Sequence, residues 1–488
     1  MGEENKRGII MMKCKFLLFI VIIFLLGGQF LFSQGIIKTI EVGSFHGRIA
    51  DSGDEGEGSM DYENSHFTYY DGFMASVFDS KAMFLGCKNF VDTTGKFHPV
   101  KVSGHGQWEC DDRRIWIPVP DEDGFTIHRY MRYQPPAIEV DGFRLDAPYP
   151  MNFSDHVDPS RIPGSADAMV ESWINTELGI TIHQRVYGFS QKNHDDYLIY
   201  EWTFKNTGNT DRDDEIELPG QTLEDVYYLR QVRWTTWYYG NWPSKYGFMP
   251  GDTLRIVYSY PARMSTSQWD NFGFPDEETG FINWPVFEGE AILFASDPNN
   301  HAADDENQPS MTGVADCDLE LVTYHSNDLT PTQQGLLYDL MANGFSILPG
   351  YYTPDMQGAK PGHHSLPFDH RGLKYPDEAP WYGFSVTSIY AYGPYDLAPG
   401  DSFKVVWAQV VGHISPEKGY EVGASWLNDD CHWGDDVPGG PTDILPPQYK
   451  QYPELYEDDP IHGISELSLI HISEPTRPLY ISYAVFCL

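Results

Sequence analysis

The sequence predicts an all-β protein, a large β-sandwich with long loops and one or two short helices. Three observations carry this. Apolar and polar residues alternate through many short runs. Gly, Pro, Asn and Asp clusters separate those runs at short intervals, and 45 Gly and 35 Pro interrupt the chain too often for a long helical protein. Only two stretches carry helix start and stop signals.

In chain order, residues 36–49 (IIKTIEVGSFHGRI) alternate as one strand, and Asp51 to Glu63 form an acidic, Gly-rich loop. RRIWIPVP (113–120) alternates Ile115, Ile117 and Val119 against Trp116 and Pro118. Residues 149–167 read as a connector, because their turn formers cluster without periodicity. A clearer block follows. LGITIHQRVYGFS is a strand with Ile180, Ile182 and Gln184 on one face. DYLIYEWTFKNTGN is the strongest strand: Leu198, Tyr200, Trp202 and Phe204 alternate with Tyr197, Ile199, Glu201 and Thr203. It ends in an Asn-Thr-Gly-Asn turn signal at 206–209. VYYLRQVRWTTWYY, DTLRIVYSY and GEAILFAS continue the pattern, and Pro399-Gly400-Asp401 turns the chain between the last two runs. A helix is expected in TPTQQGLLYDLMANG, with Thr330 as cap, Pro331 in the first turn, Gln333 closing a capping box and Gly344 ending it. A second is expected from Ser415 to Asn428.

The length, 488 residues, allows about three domains. The expected organisation is a signal peptide at 1–34, in which 1–10 are an upstream mis-start, then a β-rich region at 35–163. The main sandwich follows at 164–430, then an acidic, Pro-rich linker at 431–466 and a tail at 467–488. The signal peptide rests on Lys13 and Lys15 before the apolar run Phe16 to Leu26, with small and polar residues after it. That run is shorter than the ~20 residues a spanning helix needs, so no membrane span is expected after cleavage. The tail, LSLIHISEPTR (467–477) through ISYAVFCL (481–488), resembles a translated sequencing-library adapter.

Acidic residues number 71 and basic residues 32, a net charge of −39. Such a chain is unsuited to nucleic acid, whose phosphates need a basic face. Its aromatic content of 15% excludes a disordered acidic chain. Four cysteines lie between the two ends: Cys87, Cys110, Cys317 and Cys431. In an exported chain they allow two disulfides in three pairings, of which Cys87–Cys110 and Cys317–Cys431 are favoured.

Calcium is the cation these carboxylates suit, because it takes several flexible oxygen ligands. The candidate ligands are Asp51 and Asp54 in one loop, and Asp297, Asp304, Asp305 and Glu306 in another. Asp211 to Glu215 start like a helix-loop-helix calcium loop but put Ile216 where Gly is required. His363, His364, Asp369 and His370 offer metal-ligand chemistry in a spacing that matches no ligand motif. Trp234, Trp237, Tyr239 and Trp242 form an aromatic cluster suited to the apolar faces of sugar rings. No nucleophile elbow, metalloprotease helix or phosphate loop is present, so no catalytic residue stands out.

YLIYEWTFKNTGNTD (197–211), LPGQTLEDVYY (218–228) and YGPYDLAPGDSFKVVWAQVVGHIS (392–415) resemble segments of large exported β-proteins of Bacteroidetes-like marine bacteria. The resemblance spans about residues 171–426 and implies export by a type IX secretion system. It assigns no activity and no site residue. The expectation is a secreted or cell-surface, non-catalytic β-sandwich that binds glycan, calcium or another surface component. The alternative is an extracellular glycoside hydrolase or lyase using paired carboxylates.

Overall fold

The computed structural model describes residues 36–43, 45–53, 60–62, 75–105, 116–134, 138–140, 143–145, 154–191, 194–234, 255–259, 286–316, 326, 329–344 and 386–413. Along them run β1 (Ile37–Ile40), β2 (Phe45–Ala50), β3 (Met60–Tyr62), β4 (Ala75–Val91), β5 (Phe97–His105), β6 (Ile117–Pro118) and β7 (Ile127–Met131). Next come β8 (Ile138–Val140), β9 (Phe143–Leu145), β10 (Asp155–Val157), β11 (Ala168–Asn175), β12 (Ile180–Gly188), β13 (Tyr197–Asn206) and β14 (Leu223–Trp234). The series ends with β15 (Ile256–Ser259), β16 (Val286–Asp297), β17 (Asn300–Asp304), β18 (Met311–Asp316), helix α1 (Pro331–Asn343), β19 (Val386–Leu397) and β20 (Ser402–His413).

The strands form two large sheets and one small hairpin. The first sheet has the order β1-β2-β3-β4-β14-β19-β18, with β5 on β4. The second has the order β10-β7-β11-β12-β13-β20-β16-β15, with β6 on β11 and β17 on β16. Among the described residues every pairing is antiparallel except β10 with β7. The fold is all-β and sandwich-like, as the alternation predicts.

The inner face of β13 shows why. Leu198, Tyr200, Trp202 and Phe204 are fully buried in the core between the sheets. Phe204 meets Tyr228 of β14 across that core at 4.6 Å between ring centroids, and Trp202 lies 5.5 Å edge-on to Trp407 of β20. Period two puts these large side chains on one face, where they leave water together. Ile180, Ile182 and Gln184 share the inner face of β12 as expected, and Gln184 donates to Ala50 O and Ser172 Oγ.

Helix α1 packs on the opposite face of the first sheet. Leu337, Tyr338, Leu340 and Met341 cluster with Phe84, Val102, Leu229 and Ile389. The expected capping box is present: Thr330 Oγ1 accepts from Gln333 N, and Gln333 Oε1 accepts from Thr330 N. Gly86 makes the close approach possible, since a Cβ there would sit 2.9 Å from the Tyr338 ring.

Polar groups also cross the sandwich. Arg230 of β14 and Glu290 of β16 are both completely buried, and Arg230 Nη2 donates to Glu290 Oε1 at 2.7 Å. Arg230 Nε donates to Glu290 Oε2 and Tyr390 Oη, each at 3.2 Å, and Gln409 Nε2 donates to Glu290 Oε1 at 2.6 Å. The Trp407 ring lies 4.3 Å under the guanidinium. Burial works against the Arg230 charge, but the Glu290 carboxylate outweighs it and holds the guanidinium charged.

The structure corrects several expectations. Residues 36–49 form a hairpin, β1 and β2, turning at Gly43 with φ 84°. Part of the expected acidic loop is strand β3, and the expected connector contains β10 and a short 3-10 turn at Pro159–Arg161. β4 pairs with β14 and β7 with β11, so residues of both 35–163 and 164–430 build both sheets. Cys87 is a free thiol, fully buried in β4, so the expected bridge to Cys110 is not made. Burial pushes its pKa up to about 12, which leaves it a small apolar core residue. Cys110, Cys317, Cys431 and the helix expected from Ser415 lie outside the described residues.

Removing one partner of the inter-sheet ion pair leaves a buried charge. Arg230→Met should therefore cost about 3–5 kcal/mol of unfolding free energy, while the double variant Arg230→Met/Glu290→Leu should recover most of it. Urea melts of both proteins check this. Leu337→Ala should cost about 2–5 kcal/mol by opening a cavity under α1.

Candidate functional site

The outer face of the second sheet carries a connected group of titratable side chains. Alternation fixes its composition: Glu171 and Trp173 on β11, His183 and Arg185 on β12, Glu201 and Thr203 on β13, Lys404 on β20. Register then aligns them in rows. Glu171 lies opposite Arg185, and Arg185 opposite Glu201. Trp173 lies opposite His183, His183 opposite Thr203, and Thr203 opposite Lys404.

Each carboxylate of this row is paired with basic side chains. Glu171 Oε1 contacts His183 Nε2 at 2.8 Å, and Oε2 accepts from Arg161 Nη2 at 2.7 Å. Glu201 pairs with Arg185. Burial alone would raise the Glu171 pKa, but His183 and Arg161 outweigh it and hold the group below the usual carboxylate range. Half-buried Trp173 stacks on His183 at 4.7 Å with an interplanar angle of 5°.

Beside this row runs a second network. Asp121 Oδ2 contacts His128 Nε2 at 3.0 Å, and His128 Nδ1 contacts His156 Nε2 at 3.2 Å. Tyr130 stacks against both imidazoles and lies under Arg161, 5.1 Å from the guanidinium to the ring centroid. Burial holds the His128 pKa below 6.5, aided by His156 and opposed by Asp121. Burial raises Tyr130, with Arg161 opposing. Perturbed groups packed together at a partly exposed surface are a functional-site signal, although structural ion pairs perturb pKa values in the same way.

The residues singled out from sequence sit elsewhere. Asp51 is buried and accepts from Thr126 Oγ1, and Asp54 lies outside the described residues. Asp297 Oδ1 accepts from Asn299 N and Asn300 N at the tip of the β16–β17 hairpin. Asp304 pairs with Arg255 and accepts from Ala295 N, and Asp305 Oδ1 accepts from Asn307 N. These carboxylates shape turns, and with Glu306 they make no convergent set of three ligands. Among the described residues such a set occurs at Asp211, Asp213 and Glu217, within 4.8 Å of one another. The same groups already accept from the Asp213, Glu215 and Thr210 backbone N–H groups, which accounts for the shape of that loop without an ion. Trp234 ends β14 opposite Phe78. Trp237, Tyr239, Trp242 and the His363 to His370 group lie outside the described residues.

Sequence reasoning missed the outer-face site because its members read as ordinary solvent-side positions of good strands. The available signal was the outward set itself, since Trp173 and His183 both stand on the polar phase of their strands.

No protein-family model and no curated protein matches this chain. Among solved structures, a polysaccharide lyase is similar to it at a TM-score of 0.25 and 8% identity, over 78% of this chain and 32% of the lyase. This chain thus spans about a third of that protein's length. At that distance none of the lyase's chemistry carries over. No helix among the described residues is long and apolar enough to cross a membrane.

The charge states on this face set a pH response. His128 is disfavoured as a cation in the fold, so the unfolded chain binds more protons below pH 6.5. Stability from this group is complete above that pH and declines below it. Glu171 adds a second loss as pH falls below its ordinary 4.5. Urea midpoints between pH 4 and 8 should fall in those two windows, and His128→Gln should shrink the first decline, which His194, also held low by burial, sustains in part, and leave the second unchanged.

Proposed function

We propose that this protein is an exported, cell-surface β-sandwich module that binds glycan on the outer face of its second sheet, without catalysis. The observation that carries the reading is the half-exposed Trp173–His183 stack beside the Glu171 and Glu201 ion pairs. An aromatic side chain next to fixed polar groups suits a sugar ring, whose apolar C–H face packs on the aromatic while its hydroxyls meet the charges. Export is supported by the basic start and short apolar run at Lys13 to Leu26, and by the resemblance to type IX-exported β-proteins.

The state of Glu171 unsuits it to the acid role of a hydrolase. A glycosidase acid must stay protonated near neutrality, which needs a raised pKa. Glu171 is shifted the other way by its His183 and Arg161 partners. Its carboxylate is set to position neighbours or a ligand, not to give up a proton.

Titration calorimetry against a panel of soluble polysaccharides tests this. Binding is expected, and Trp173→Ala should weaken it at least tenfold, about 1.4 kcal/mol, with an unchanged melting temperature. The reading fails if no polysaccharide binds. It also fails if the protein releases reducing or unsaturated ends in a reaction that Glu171→Gln abolishes.

A further inference from the structure

The chain has more than twice as many acidic as basic residues, yet one row on the outer face of the second sheet sets basic side chains above its carboxylates. The two carboxylates of that row lie low: the side chains of Glu171 and Glu201 are only 5% and 6% exposed, while Asp121 beside it, paired with His128, is 33% exposed. The cations stand above them. Arg161 is 47% and Arg185 28% exposed, Lys205 is exposed, and half-exposed Lys404 holds its Nζ 4.9 Å from the Phe294 ring centroid. Arg185 spends one nitrogen on the carboxylate beneath it, and Arg161 bonds both Glu171 and Tyr130. A guanidinium has five N–H donors, so most of each fork remains for a ligand. From β11 to β20 the row spans three strand spacings, about 14 Å.

Resting on the glycan reading above, we propose that the ligand of this face is an anionic polysaccharide, recognised through its carboxylate or sulfate groups by Arg161, Arg185, Lys205 and Lys404. Arginine forks match planar carboxylates and sulfate oxygens in paired geometry, and the two lysines add charge without fixed direction. The Trp173 ring supplies the contact to the sugar itself. A polyanion would otherwise be repelled by a protein of this net charge, so a row of basic side chains set above their carboxylates is a selective feature.

The test uses the full-length protein with four probes: polygalacturonate for carboxylates, a sulfated galactan, a neutral β-glucan, and oligothymidylate as a non-sugar polyanion. Affinity is measured at 50 and 500 mM NaCl. Expected is binding to polygalacturonate, the sulfated galactan or both, weakening at least tenfold at high salt. Which of the two binds identifies the anionic group. Lys205→Glu/Lys404→Glu should reduce that affinity at least tenfold, with an unchanged melting temperature confirming the fold. Binding to the neutral glucan alone would overturn this inference and leave the glycan reading standing. Binding to none of the three polysaccharides would remove both. Equal affinity for oligothymidylate, or anionic binding untouched by the double variant, would also overturn it.

Discussion

The buried pair of Arg230 and Glu290 constrains how the two sheets meet. Neither residue touches water, so their charges are tolerable only if each finds the other across the core. That requirement holds β14 against β16 at one offset. Tyr390, Gln409 and Trp407 join the shell and extend the constraint to β19 and β20. An apolar core of equal volume would bury as much surface without selecting that offset, because dispersion and hydrophobic contacts are non-directional. The pair therefore ties the inner face of the second sheet to a single position. The outer face follows, since successive side chains of a strand project to opposite sides.

The same logic sorts what was legible in the sequence. Alternation along β12 and β13 announces the sandwich because burial of one face is a local, period-two property. The capping box of α1 is equally local, within four residues of Thr330. The Arg230–Glu290–Gln409 network is not: its members are 60 and 119 residues apart, on strands that are neighbours only after folding. The interleaving of residues 35–163 with the rest was hidden for the same reason. Strand order in an antiparallel sheet is set by long-range register, and the β4–β14 pairing leaves no mark in either segment alone.

The candidate site divides along that line too. Acidic loops drew attention because carboxylates are conspicuous in sequence. In the fold, Asp297 and Asp305 are occupied with turn N–H groups that any Asx turn demands. The outer-face row was inconspicuous because its residues are spread over β11, β12, β13 and β20 and only register assembles them. Arg161 reaches Glu171 from a 3-10 turn whose cap, Asp158, accepts from Ser160 N. Sequence reading had dissolved that turn into a connector.

What gives the outer face its character is the depth ordering of charge. A carboxylate at the sheet surface under an arginine is screened from solvent by the guanidinium above it, so a visiting ligand meets the cation first. The net charge of the molecule then ceases to predict what this face attracts, because at physiological ionic strength fields are screened beyond about 8 Å. An acidic protein can in this way stay soluble among anionic surfaces and still hold an anionic chain at one place. Neutral His128 beside His156 places a second titrating unit along the same edge, next to the Tyr130 ring that supports Arg161. Protonation there adds positive charge to the side of the row where Arg161 already stands. The cationic character of the face and the cost of folding it thus rise together as the pH falls.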